Sequence, residues 1–210
     1  MIRAAILAGG RSSRFGKDKA LAVFKGTTLL GRSIELVRRL NMEPLLLAPK
    51  QRDYGRLFSC EVVEDDHSGE GPLGALVTLW KKKPKDTFLV LTCDMPHLTA
   101  EALLSLLLSH DADSAATLYE SRERTEPFPG IYQSAPALTA WRALEPTQRS
   151  MHAFLEGVKR KKIVSWLGSQ KILTNVNRPA DISGDSALNR PSPSSFERDR
   201  SAGRFHRAGR

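Results

Sequence analysis

The sequence predicts an α/β fold of three layers, a mostly parallel sheet with helices on both faces. Two observations predict it. Apolar runs of strand length recur at residues 4–7, 44–48, 62–64 and 88–92 of the 210-residue chain. The last three are continuously apolar or nearly so, as strands covered on both sides must be. Stretches with helical patterning separate them, and steady strand–helix–strand alternation builds a parallel sheet.

In chain order, the first strand breaks at Gly9 and Gly10. Residues 28–40 follow as a helix, with Leu29, Ile34, Val37 and Leu40 on one side and Arg32, Arg38 and Arg39 available to water. After the second and third strands, a helix over 71–83 opens with Pro72 near its first turn and ends in three lysines, which suits the helix dipole. The fourth strand leads to a helix over 99–109, with Thr99 as N-cap and Glu101 in its first turn. Beyond Asp113 the pattern loosens. Strands are expected at 115–119, 130–132 and 161–164, and helices at 137–144 and 151–158. Between them "ESRERTEPFPG", residues 120–130, reads as a polar, proline-broken loop, an insertion over one edge of the first half. From residue 183 on, serine, proline, glycine and arginine dominate, and burial there cannot offset ordering entropy. Residues 183–210 are expected to be a disordered basic tail.

Composition narrows the partners. With 40% hydrophobic residues the chain can bury a core, and no apolar run approaches the roughly 18–20 residues of a membrane span. "MIRAAILAGG" is too short and too quickly broken for a signal peptide. Cys60 and Cys93 lack metal-type spacing and read as reduced, buried thiols of a cytoplasmic protein. The net charge of +9 suits an anionic partner, whether nucleic acid, membrane surface or phosphorylated small molecule.

The motifs choose among these. "ILAGGRSSRFGKDK" follows a strand directly, and in open parallel sheets ligands bind outside the carboxyl ends of the strands. Gly9 and Gly10 suit positive φ and close approach of backbone N–H groups to an anion, with Arg11, Arg14, Lys17 and Lys19 to neutralise phosphates. Neither the dinucleotide fingerprint nor the P-loop fits. Gly9 and Gly10 are adjacent, and Asp18 stands where a P-loop needs a hydroxyl. "FLVLTCDMP" ends a strand at Asp94, a carboxylate suited to Mg²⁺. "VVEDDHSGEGPLGAL" ends another at Glu64, Asp65 and Asp66, and Asp65 suits a ribose, a base or the metal. His67 and His97 lack the spacing of a zinc motif. Three strand-end loops thus carry the opposite charges that one Mg–triphosphate ligand requires.

"LAGGRSSRFGKDKA", "GPLGAL", "CDMP" and "NVNRPADI" resemble the signature blocks of the nucleotidyltransferases of molybdopterin-guanine dinucleotide biosynthesis, over residues 2–182. "LAGG", "GPLG" and "NVN" with its following proline are more similar to the guanylyl branch, the molybdenum cofactor guanylyltransferases, than to the cytidylyl branch. The resemblance implies a nucleotide-diphospho-sugar-transferase-like (Rossmann-like) fold over 1–182, with 1–113 as nucleotide-binding half and 114–182 as acceptor half. It implies transfer of GMP from Mg–GTP to the terminal phosphate of molybdopterin, with release of pyrophosphate. Leu7, Ala8, Gly9, Gly10 and Arg11 would contact the GTP, Lys19 and Arg14 its phosphates, Asp65 the guanosine and Asp94 the Mg²⁺. "TEPFPGIY" is similar to a stretch of the half that receives the pterin, and Asn175–Asn177 would lie at the rim of the site. Molybdoenzymes or other cofactor-maturation proteins would be partners, with no membrane and no nucleic acid. Two departures bear on the base contacts and the helix start: Ala48 and Pro49 stand where many relatives have asparagine, and "GPLGAL" replaces the commoner "GPLAG". The alternatives are a related nucleotidyltransferase using CTP or a sugar 1-phosphate acceptor and, more remotely, a basic RNA-binding protein. The tail's six arginines against three carboxylates hold only part of the charge, and Phe196 and Phe205 are its sole aromatics, which disfavours a single-strand binder.

Overall fold

The computed structural model describes residues 1–9, 18–145, 147 and 149–182. Gly10, Arg11, Arg14, Lys17 and the tail expected at 183–210 lie outside them.

The described strands form a seven-stranded sheet and a small two-stranded ribbon. In chain order the strands are β1 (Ile2–Leu7), β2 (Val23–Phe24), β3 (Thr27–Thr28), β4 (Pro44–Ala48), β5 (Glu61–Glu64), β6 (Thr87–Thr92), β7 (Ala116–Ser121), β8 (Arg124–Gln133) and β9 (Lys161–Ser165). The large sheet has the order β5-β4-β1-β6-β8-β7-β9. All neighbours are parallel except where β8 meets β6 and β7. The central strands β1, β4 and β6 are mostly buried, and their buried stretches 4–7, 44–48 and 88–91 are written in apolar residues, with Arg3, Thr87 and Thr92 at half-buried positions.

The helices are α1 (Leu29–Arg39), α2 (Tyr54–Phe58), α3 (Gly71–Lys82), α4 (Ala100–Ser109), α5 (Ser134–Arg142) and α6 (Met151–Gly157). Caps set three of the starts, Ser150 Oγ accepting from the Ala153 N–H at 3.1 Å at the head of α6. Thr28 Oγ1 accepts from the Gly31 N–H at 3.0 Å, and Thr99 Oγ1 accepts from the Ala102 N–H at 3.3 Å. The chain steps outward from β1 through α1 to β4 and on to β5, then returns through α3 to β6 on the other side of β1. Right-handed crossovers in opposite directions put α1 and α3 on opposite faces of the sheet, the three-layer arrangement. On the α3 side, Trp80 is fully buried with its ring 5.9 Å from Tyr132 and 5.1 Å from Phe154.

One expectation is overturned. Residues 120–130 are not an insertion loop; they turn a hairpin, and β8 lies inside the sheet between β6 and β7. Only Arg122 and Glu123 make the turn, both at positive φ (51° and 62°). The two prolines are accommodated by a bulge. Leu118 pairs with Gly130 but Tyr119 with Glu126, so Pro127, Phe128 and Pro129 stand out of the β7 ladder, where a missing N–H is tolerated. Gly130 permits the fold-back: a Cβ there would lie 2.7 Å from Leu118 Cδ2 and 2.8 Å from the Pro127 carbonyl oxygen. The ribbon β2–β3 and the short α2 were not anticipated. Cys93 is buried but Cys60 is only half-buried, and both are free thiols.

Candidate active site

The point where strand order reverses is the seam between β1 and β6, and there the sheet opens into a cleft of about 380 Å³ at the strands' carboxyl ends. Each loop delivers a group to it. After β1 comes a single 3₁₀ turn, Lys19–Leu21, whose first residue is Lys19. After β6 comes Asp94. Lys19 Nζ donates to Asp94 Oδ2 at 2.7 Å, and the two side chains are only 18% and 19% exposed. Lys19 also reaches Asn177 Oδ1 at 3.5 Å, and the Val176 N–H donates to the Asp94 carbonyl at 2.8 Å, stitching the 175–177 segment to the site. Asn175 lines the cleft.

The other oxygen of Asp94 differs. Oδ1 is buried with no hydrogen-bond partner among the described residues, and so is Thr92 Oγ1 at the end of the same strand. A buried carboxylate oxygen without a partner is costly unless a ligand satisfies it. No group of three His, Cys, Asp or Glu side chains that could hold a metal ion occurs among the described residues.

Leu7, Ala8 and Gly9 line the cleft. Gly9 does not take the positive φ expected of it; among the described residues the positive-φ glycines are Gly26, Gly69 and Gly71. A Cβ at Gly9 would stand 3.4 Å from the Pro49 ring and 3.7 Å from Asp65 Oδ2, inside the cleft itself. Asp65 is also part of the lining, but its Oδ1 is engaged within the protein, accepting from the His67 N–H at 3.0 Å and from Thr78 Oγ1 at 3.2 Å. Only Oδ2 remains toward the cavity. The N-terminus of α3, without a side-chain cap, also borders the cleft, with Gly69, Gly71 and Pro72 in the wall. The twelve-residue helix presents the positive end of its dipole and unpaired N–H groups there. Gly74, in the unusual "GPLG", is required by packing: a Cβ would be 2.9 Å from His67 Cβ.

Cys93 also lines the cleft, but burial, with Asp94 alongside, pushes its thiol up to about 12, so it stays protonated and is no nucleophile. Sequence reasoning missed four lining or supporting groups: Asp18, Arg52, Tyr54 and Phe128. Arg52 and Tyr54 follow β4, in a stretch that carries no recognisable motif. Phe128 was hidden by the mistaken loop. Of the predicted set, the structure brings together Leu7, Ala8, Gly9, Lys19, Asp65 and Asp94.

A family model described as the MobA-like NTP transferase domain matches residues 4–163. The chain belongs to that family. It is therefore a nucleotidyltransferase, an enzyme. Among similar proteins, a molybdenum cofactor guanylyltransferase of Shewanella sp. (strain W3-18-1) is 30% identical over 85% of this chain and 92% of its own. A probable molybdenum cofactor guanylyltransferase of Flavobacterium johnsoniae is 28% identical over 84% of this chain and 92% of its own. The solved molybdopterin-guanine dinucleotide biosynthesis protein A of Archaeoglobus fulgidus superposes with a TM-score of 0.71 at 20% identity, covering 89% of this chain and 98% of its own. That likeness shows a shared fold, the nucleotide-diphospho-sugar-transferase-like architecture. Across this MobA-like chain, no helix among the described residues is long and apolar enough to cross a membrane.

Proposed function

We propose that the enzyme transfers GMP from Mg–GTP to the terminal phosphate of molybdopterin, giving the guanine dinucleotide cofactor and pyrophosphate. The observation that carries this reading is the meeting of Lys19 and Asp94 at 2.7 Å in the β1–β6 seam, with Asp94 Oδ1 buried and unpartnered. The names of the relatives support the choice of base and acceptor.

The donor set fits Mg²⁺, which commonly takes one or two carboxylates and completes its shell with substrate phosphates and water. Asp94 would hold it, and the bound ion would supply charge neutralisation and polarisation of the phosphoryl oxygens. The acceptor is a phosphate monoester, mostly ionised near neutral pH, so its oxygen needs no general base. The protein's task is to hold two polyanions in line and neutralise them. Lys19, released from Asp94, binds the phosphates and stabilises pyrophosphate as it leaves, assisted by Arg14 and Arg11. Leu7, Ala8, Gly9 and Gly10 bed the nucleotide, with Asp65 Oδ2 toward the guanosine. The α3 N-terminus adds positive potential. Residues 114–182 act as the acceptor half, with Phe128 and Asn175 facing the pterin. The free thiols suit a cytoplasmic setting, from which the product passes to molybdoenzymes.

Pyrophosphate release measured with molybdopterin and each of GTP, CTP, ATP and UTP tests the reading. GTP is expected to be used far better than the rest; preference for CTP, or for a sugar 1-phosphate acceptor, overturns it.

A further inference from the structure

We propose that Asp18, clamped by Arg52 and Tyr54, is a positioning residue that aims Lys19 across the cleft, an assignment that rests on Lys19 acting on the nucleotide's phosphates. Asp18 immediately precedes Lys19 and caps the 3₁₀ turn that carries it: Oδ1 accepts from the Ala20 N–H at 3.2 Å. Oδ2 accepts from the Tyr54 hydroxyl at 2.5 Å and is ion-paired with the Arg52 guanidinium. Arg52 also donates to the Tyr54 oxygen at 3.2 Å, so the three side chains close on one another. Both carboxylate oxygens are thus engaged within the protein, which separates Asp18 from Asp94, although both line the cleft.

The anchor is firm. Tyr54 is 2% exposed, at the first position of α2, with its ring edge-on to Phe58 at 6.4 Å. Burial pushes its hydroxyl up to about 12, so it remains a donor throughout the range in which the enzyme works. The clamp therefore ties the segment after β4 to the turn after β1. Lysine benefits from such help because its ammonium rides on a flexible four-carbon stem, and a fixed backbone start narrows where the head can go before its partners hold it. Without Arg52 and the Tyr54 hydroxyl, Asp18 keeps its bond to Ala20 but the turn loses its tether, and Lys19 Nζ is held less tightly 2.7 Å from Asp94.

The test reads Lys19 directly. The full-length Tyr54→Phe/Arg52→Ala variant and the unaltered protein are acetylated under limiting reagent, and each lysine's rate is followed by mass spectrometry. Lys162, paired with Asp111 at 3.0 Å on the far edge strand β9, is the internal control for general loosening. Tyr54→Phe alone, which keeps the ring and its packing, gives a second reading should the double variant fold poorly. The clamp predicts that Lys19 is labelled several-fold faster while Lys162 is unchanged, and that kcat/KM for the nucleotide falls roughly tenfold or more, as expected when a group that binds the phosphates is misaimed. An unchanged Lys19 rate in both variants overturns the clamp. Faster Lys19 labelling with undiminished kcat/KM upholds the clamp and overturns instead the role of Lys19 in the chemistry.

Discussion

The two halves of the sheet equip the cleft in different ways. On the parallel side, β1, β4, β5 and β6 all end at one edge, and the segments after them bring Lys19 with Asp18, Arg52, Asp65 and Asp94 to the same cavity. On the other side β8 runs the opposite way, so its amino end faces the cleft, and what it contributes is the Phe128 ring thrown out by a proline-flanked bulge. Parallel strands concentrate charge because their carboxyl ends coincide. A reversed strand interrupts that series and contributes shape. The division matches the two substrates proposed, a triphosphate to be neutralised and a planar pterin to be held by its face.

The contrast yields predictions in descending size. Asp94→Ala is expected to lower kcat by about 10³-fold with the fold intact by circular dichroism, the upper end of the roughly 10²–10³-fold that removal of one preorganised electrostatic group costs. Turnover within a few-fold of the unaltered enzyme would remove the charge centre from the parallel side. Lys19→Ala is expected to cost about 10²–10³-fold in kcat/KM for the nucleotide; unchanged nucleotide kinetics would break the pairing on which the contrast rests.

Smaller effects belong to the mixed side. Gly130→Ala should destabilise the protein by about 1–3 kcal/mol, the usual cost of overpacking, seen as a lower midpoint in urea. A neutral result would mean that the bulge relaxes freely. Phe128→Ala should raise the acceptor KM by roughly tenfold, the scale of a lost aromatic contact of about 1 kcal/mol plus its buried area, and leave the nucleotide KM alone. An effect on the nucleotide instead would erase the division of labour. Raised salt should reduce kcat/KM for both anionic substrates by a few-fold, and more for the nucleotide, through screening.

The same contrast governs how much was legible in the sequence. β4 was read to the residue, because a strand buried on both faces must be written in apolar residues and "PLLLA" admits little else. Lys19 and Asp94 were legible because parallel topology obliges strand-end charges to converge, so local sequence carried long-range information. β8 was not legible. Its first residues, Arg124 to Glu126, are exposed or half-buried and therefore polar, and its turn uses Arg122 and Glu123 at positive φ where asparagine or glycine would have announced it. Its prolines read as breakers because the bulge that tolerates them depends on the register with β7, which local sequence does not reveal. The Arg52–Asp18–Tyr54 clamp was equally hidden, since 34 residues separate Asp18 from Arg52 and no spacing rule links them.

The central claim is that Asp94 binds the nucleotide through a metal ion while Lys19 binds its phosphates directly. A calorimetric titration of GTP into the unaltered protein and into Asp94→Ala, each with Mg²⁺ and with excess chelator, tests it most directly. The account predicts that Mg²⁺ strengthens GTP binding to the unaltered protein, and that in Asp94→Ala the metal makes no difference to an affinity still held by Lys19. An Asp94→Ala protein that retained the full strengthening by Mg²⁺ would contradict it.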